Sequence, residues 1–197
     1  MRVIAGSAGG LHLLPPGRET RPTMDRVKGA IFSSLGERVL GARVLELFAG
    51  SGALGIEALS RGAASAVFVD NHGPTIGLIR RNLESTHLEG SVQQMDAFRF
   101  LDLYAPPESF DIILADPPYV KKTKGGVPQE NHAEKLLSQP AVLLALGKEG
   151  LLVLECERRQ SLPSLPLLKV LSDRCYGESR ILILRAFPKP SLAGFAP

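Results

Sequence analysis

Val44-Leu45-Glu46-Leu47-Phe48-Ala49-Gly50-Ser51-Gly52-Ala53-Leu54-Gly55 decides the fold, because a short strand-like run enters a glycine loop and a helix follows. Gly50, Gly52 and Gly55 keep the spacing G-x-G-x-x-G, which permits a tight turn and lets a ligand approach the backbone. Working outward, Val44–Leu47 reads as a strand and Leu54–Arg61 as a helix closed by Gly62. Ala66–Val69 reads as a second strand, and a helix beginning near Pro74 carries Ile76, Ile79 and Leu83 on one face. Val92–Met95, Ile112–Ala115 and Leu151–Cys156 read as three more strands, with Pro140 interrupting a helical stretch from Ala133 to Leu146. Leu167–Leu171 and Ile181–Phe187, joined through Tyr176-Gly177-Glu178, read as an antiparallel hairpin at one sheet edge. Repeated βα units require a doubly wound, mostly parallel α/β sheet, here of seven strands.

The ends differ from this body. Val3-Ile4-Ala5 and Leu11-His12-Leu13-Leu14, separated by Gly6-Ser7-Ala8-Gly9-Gly10, predict a β-hairpin. Thr23 offers an N-cap for a helix whose Val27, Ala30, Ile31 and Leu35 recur at helical spacing until Gly36. The organisation expected is therefore an extension over residues 1–40, a main domain over 41–188 and a frayed, flexible tail over 189–197. Of 197 residues, 44% are apolar and 22% charged, which is ordinary for a globular chain with a sizeable core. The net charge of +3 is uneven, with seven Lys/Arg against three Asp/Glu in residues 1–43 and near balance beyond. A basic arm on a neutral body suits a polyanion such as nucleic acid. Apolar runs long enough for a membrane span or a secretory signal are lacking, so no membrane partner is expected and the cytoplasm is the expected location. Cys156 and Cys175 could form a single disulfide, but free, buried thiols are expected, and no metal-ligand spacing occurs. His12, His72, His87 and His132 are scattered and suggest no role.

Four acids stand at the carboxyl ends of predicted strands: Glu46, Asp70, Asp96 and Asp116. Open α/β sheets bind ligands at that edge. The glycine loop alone would fit NAD, but Glu46 is badly placed for a pyrophosphate and well placed for an ammonium, and the loop holds no Lys or Arg. S-adenosylmethionine carries that ammonium. Asp70 suits ribose hydroxyls, and Asp96, followed by Ala97, suits the adenine amino group. For each acid singly, a helix cap or solvated strand end competes with this reading. Phe48 fits the core with cofactor adjacency. Asp116-Pro117-Pro118-Tyr119 ends its strand abruptly, since neither proline donates a ladder hydrogen bond. A carboxylate and proline carbonyls accept from a planar amino group, and a tyrosine face stacks on the base that carries it.

The segment Glu46–Gly55 resembles the first motif of class I S-adenosylmethionine-dependent methyltransferases, and Asp116–Tyr119 resembles the motif of enzymes that methylate exocyclic amines of nucleobases. Arg2-Val3-Ile4-Ala5-Gly6, Thr20-Arg21-Pro22-Thr23 and Asp25-Arg26-Val27-Lys28-Gly29-Ala30-Ile31-Phe32 resemble the RsmD family more narrowly, together with Leu47–Ala63. The similarity runs from Arg2 to about Tyr119 and resumes loosely at Tyr176-Gly177, while Asp70 stands where Glu is usual. It implies a Rossmann-like class I methyltransferase fold acting on N2 of a guanine in 16S ribosomal RNA, free or in an assembling small subunit, as a monomer. The implied catalytic set is Asp116, Pro117, Pro118 and Tyr119. The implied cofactor set is Glu46, Phe48, Gly50, Ser51, Gly52, Asp70, Asn71, Asp96 and Ala97. RNA would meet Arg21, Thr23, Arg26, Lys28, Lys121, Lys122 and Lys124. The Lys121–Val127 loop follows no assignable pattern. Three other readings stay open: an NAD-dependent dehydrogenase, an RNA-binding assembly factor without catalysis, and an amine methyltransferase acting on adenine N6 or cytosine N4 of DNA or another RNA.

Overall fold

The computed structural model describes residues 1–16, 22–119, 130–165 and 167–187, with side chains of residues 22–24 outside the description. In chain order the elements are α1 (Pro22–Leu35), β1 (Arg43–Leu47), α2 (Ala53–Ser60), β2 (Ser65–Asp70), α3 (Gly73–Thr86), β3 (Ser91–Gln94) and α4 (Ala97–Leu103). Then follow β4 (Phe110–Ala115), α5 (His132–Ser138), α6 (Pro140–Ala145), β5 (Leu146–Glu157), β6 (Leu168–Tyr176) and β7 (Ser179–Ala186). The strands form one seven-stranded sheet ordered β3-β2-β1-β4-β5-β7-β6. β1 to β5 pair in parallel, whereas β7 is antiparallel to both β5 and β6. The order reverses between β1 and β4, so a crevice opens above that pair where the following helices depart to opposite faces.

Strand periodicity divides the core in two. On one face Val44, Phe68, Ile112, Leu114, Val153 and Ile181 pack with α1, α2 and α3. On the other Leu45, Val69, Ile113, Leu152 and Leu182 pack with α4, α5 and α6. Val3, Ala8 and Leu13 belong to the first cluster, so the N-terminal segment is seated on the core of the main domain.

The seat is polar and fully occupied. Glu57, wholly buried on α2, accepts from Ile4 N (2.7 Å) and Ala5 N (3.1 Å), and pairs with Arg61 (2.7 Å) and Lys28 (3.3 Å). Asn82 of α3 accepts from Leu14 N (2.8 Å) and donates to Leu14 O (3.0 Å) and Ser51 O (2.8 Å), tying the N-terminal segment to the glycine loop. Gly6 has a φ of 88°, and a Cβ there would lie 1.8 Å from Ser60 O, so only glycine fits this turn against α2.

Several expectations are adjusted. The N-terminal arms do meet as an antiparallel hairpin, bridged at Arg2 and His12, with Val3 N donating to Leu11 O, Gly10 N to Val3 O and Leu13 N to Met1 O. They are too short to count as strands, and they also bond to α2 and α3. α1 starts at Pro22, placing Thr23 inside the first turn instead of at the cap. α4 was not expected at all; Asp96 caps it by accepting from Phe98 N and Arg99 N. Cys156 is buried as expected, but Cys175 is exposed on the edge strand β6; both are free. Among the described residues no helix is long and apolar enough to cross a membrane, and no cluster of potential metal ligands occurs. The expected tail lies outside the described residues.

Candidate active site

A cleft of about 530 Å³ opens at the β1–β4 crevice. Its floor and walls include Glu46, Phe48, Gly50 and Ser51 from the first βα turn, Asp116 and Tyr119 from the double-proline turn, and Glu155 with Tyr176–Ser179 from the antiparallel hairpin. Val27, Lys28 and Ile31 of α1 close one side. A smaller pocket of about 250 Å³, lined by Arg38, Asp111 and Lys148, sits at the other end of β4, away from the strand ends that carry the motifs.

The glycine loop is shaped by backbone conformation. Phe48, Gly50 and Gly52 all have positive φ (56°, 55° and 75°). A Cβ on Gly50 would meet nothing nearer than Phe48 O at 3.9 Å, so its backbone faces open space. Gly55 serves packing instead, because a Cβ there would lie 2.4 Å from the Phe68 ring and 2.7 Å from Glu46 Oε2. Phe48 lines the cleft and also packs, edge-on to Phe98 (centroids 6.0 Å apart) and stacked on His132 (5.7 Å).

Glu46 is 4% exposed and accepts from Leu54 N (3.2 Å) and Gly55 N (2.9 Å) at the start of α2. Burial pushes its carboxyl up to about 8, against the pull of those two N–H groups and of Lys28. It makes no ion pair with any described residue, so an ammonium delivered by a ligand would supply what it lacks. Open glycine backbone beside a buried carboxylate short of a cation fits the amino-acid end of S-adenosylmethionine.

Asp70 and Asp96 lie at the same sheet edge but outside the cleft wall. Asp70 accepts from Gly50 N (2.9 Å) and His72 N (2.9 Å), bracing the loop. Asp96 uses Oδ1 for both α4 N–H groups, the capping role that competed with adenine recognition from the outset. Asn71 is exposed and Ala97 buried beside them. All four acids thus stand on one rim, with Glu46 and Asp116 facing the cleft.

Asp116 is solvent-exposed along the cleft, yet protein surrounds it closely enough that dehydration raises its carboxyl well above the ordinary range, aided by the charges of Glu155 and Glu46. Pro117 is buried and Pro118 exposed. Tyr119, 36% exposed, has its hydroxyl within 2.9 Å of Ser179 Oγ and donates to Glu155 Oε1 at 3.3 Å, so its ring is held at the mouth.

Lys28 requires correction. Expected to hold phosphate, it is 3% exposed and its ammonium donates to Arg2 O (2.5 Å) beside Glu57. Burial lowers its proton affinity despite that partner. Arg26, by contrast, is exposed on α1. Arg21, Lys121, Lys122 and Lys124, with the Lys121–Val127 loop, lie outside the described residues, as does the Thr23 side chain.

Glu155 and Ser179 line the cleft without having been expected there. Glu155 lies inside β5, which runs on to Glu157, so a strand-end rule passes over it; only the pairing with β4 ends just before it, at Leu154. Nothing local marks His132, which reaches Phe48 only through the fold.

The family model described as "Conserved hypothetical protein 95" matches residues 1–185. The Escherichia coli protein named ribosomal RNA small subunit methyltransferase D is 32% identical over 172 residues, covering 84% of this chain and 79% of that protein. The chain belongs to the RsmD family. YlbH of Bacillus subtilis, 40% identical over 167 residues, covers 83% of this RsmD-family chain and 86% of its own. The solved yhhF structure from Escherichia coli superposes with a TM-score of 0.75 at 26% identity, covering 96% of this chain and 99% of that one. The RsmD-family chain accordingly has the α/β fold of class I methyltransferases, as expected from its glycine loop.

Proposed function

We propose that this protein transfers the methyl group of S-adenosylmethionine to the N2 amine of a guanine in small-subunit ribosomal RNA. One observation carries the reading: Asp116 and Tyr119 open into the same cleft as Glu46 and Gly50-Ser51, at the point where the strand order reverses. The name of the Escherichia coli relative supports the substrate class.

Glu46 would hold the cofactor's ammonium, the Gly50–Gly52 backbone its amino-acid carboxyl end, Asp70 and Asn71 the ribose, and Asp96 and Ala97 the adenine, with Phe48 alongside. When bound, S-adenosylmethionine supplies an electrophilic methyl group. The remaining chemistry belongs to the chain. A guanine amine is a poor nucleophile, since its lone pair is delocalised into the ring. Asp116 and the Pro117 carbonyl accept its two N–H bonds, drawing nitrogen toward pyramidal geometry. Pro118 fixes the turn and Tyr119 stacks on the base, worth ~1–3 kcal/mol. The methylated nitrogen is cationic and acidic, and Asp116, whose proton affinity is raised, is suited to receive its proton. Positioning and electrostatics carry most of the acceleration.

The target base must leave its stack to enter. Arg26, exposed on the helix that walls the cleft, would meet its phosphates. Arg21, Thr23, Lys121, Lys122 and Lys124 are proposed to extend that contact, and the protein to act as a monomer in the cytoplasm. Labelled methyl transfer to naked ribosomal RNA, to assembled small subunits and to DNA, followed by nucleoside analysis, tests the reading. N2-methylguanosine from one of the first two is expected; N6-methyladenine or N4-methylcytosine would overturn it.

A further inference from the structure

We propose that Glu155 reads the N1–H of the target guanine and so selects guanine over adenine and cytosine. This rests on the guanine-amine reading of the cleft. Ala115 of β4 and Leu154 of β5 are register partners in a parallel pair, so the next residues, Asp116 just past the end of β4 and Glu155 within β5, follow side by side on adjacent strands. Both line the cleft. Glu155 is fixed through one oxygen: Oε1 accepts from Ser179 Oγ (2.6 Å) and from the Tyr119 hydroxyl (3.3 Å). Oε2 has no hydrogen-bond partner among the described residues, and the Glu155 carboxylate lines the same cleft as Asp116 and the Tyr119 ring, close enough for its charge to act on Asp116.

Two neighbouring carboxylates repel each other, and nothing cationic from the described residues pairs with either one. Such a pair suits an edge that offers donors side by side. Guanine presents N1–H beside its N2 amine. Adenine places the acceptor N1 beside its N6 amine, and cytosine the acceptor N3 beside N4, so each would point a lone pair at Glu155. An amine methyltransferase that uses only Asp116 and Pro117 cannot tell these bases apart; a second carboxylate one strand over can. Its link to Tyr119 sets stacking and edge recognition in one frame.

The test varies the base before the protein. The modified position is first mapped by methyl transfer to small-subunit ribosomal RNA, then rebuilt by ligation with guanine or 2-aminopurine. 2-Aminopurine keeps the N2 amine but replaces N1–H with an acceptor. Wild-type kcat/KM is expected to fall by about a hundredfold or more on 2-aminopurine, the behaviour of a polar site left unpaired. Glu155→Gln, whose amide can donate to that acceptor, is expected to narrow the ratio at least about tenfold, whatever its absolute rate. Equal methylation of both bases by wild type would overturn the assignment and leave the amine chemistry standing. An unchanged ratio in the variant would also overturn it. Methyl transfer to neither RNA would sink the guanine reading itself, and this inference with it.

Discussion

Glu46, near the end of β1, and Glu57, in the last turns of α2, are both buried glutamates, and they are finished in opposite ways. Glu57 has two N–H donors and two cations, Lys28 and Arg61, and joins the N-terminal segment, α1 and α2. Glu46 has two N–H donors and no cation, and it faces the cleft. A charge whose partners are all internal serves the fold. One left short of a counter-charge at a ligand edge is held ready for something that arrives.

The widest contrast comes from Asp116→Ala. It should lower kcat by about 10²–10³-fold or more, while cofactor affinity by calorimetry and the unfolding midpoint stay near wild type. Retained methyl transfer would remove Asp116 from the chemistry. Glu57→Gln should do the reverse. Removing one side of a buried ion pair costs about 3–5 kcal/mol, read as a lower urea midpoint, with activity per folded molecule preserved.

Glu46→Gln separates the two classes through pH. The native carboxyl titrates near 8 against 4.5 in its reference state, so the folded protein holds a proton that the unfolded chain has released between those values. Glu46's contribution is therefore fully present below about 4.5 and is lost as pH rises through about 8. Relative to Glu46→Gln, wild-type stability should decline across that window by at most about 1.4 kcal/mol per pH unit. Denaturation midpoints at about pH 5.5 and about pH 8.5 measure it, and a flat difference would mean Glu46 is ionised throughout. The same variant should bind S-adenosylmethionine about ten- to hundredfold more weakly, since a hydrogen bond to a charged group is lost. The smallest effect expected is for Tyr119→Phe, which keeps the ring but releases Ser179 and Glu155; about a two- to fivefold fall in kcat/KM is anticipated.

The sequence made the glycine loop, the strand alternation and the double-proline turn legible because their signals are local. Gly50 and Gly52 carry the required positive φ, and Pro117 ends β4 where a ladder bond would be needed. Strand order is another matter: β7 inserts between β5 and β6, and no periodicity in either strand announces it. α4 escaped notice because seven residues scarcely establish a helical period and its cap, Asp96, had already been read as a strand end. Lys28 was misjudged for a related reason. A lysine on a helix reads as solvated unless its buried partner is known, and Glu57 belongs to a different helix. Glu155 becomes conspicuous only once β4 and β5 are set in register.

The seat of the N-terminal segment has a consequence for synthesis. Ile4 waits for a residue 53 positions further along, and Leu14 for one 68 positions further along. At ~5–20 residues per second, translation leaves the earliest-made stretch without its anchors for several seconds. That stretch therefore cannot dock until α2 and α3 have been made, arriving as a latch on a part already built from β1, α2 and α3.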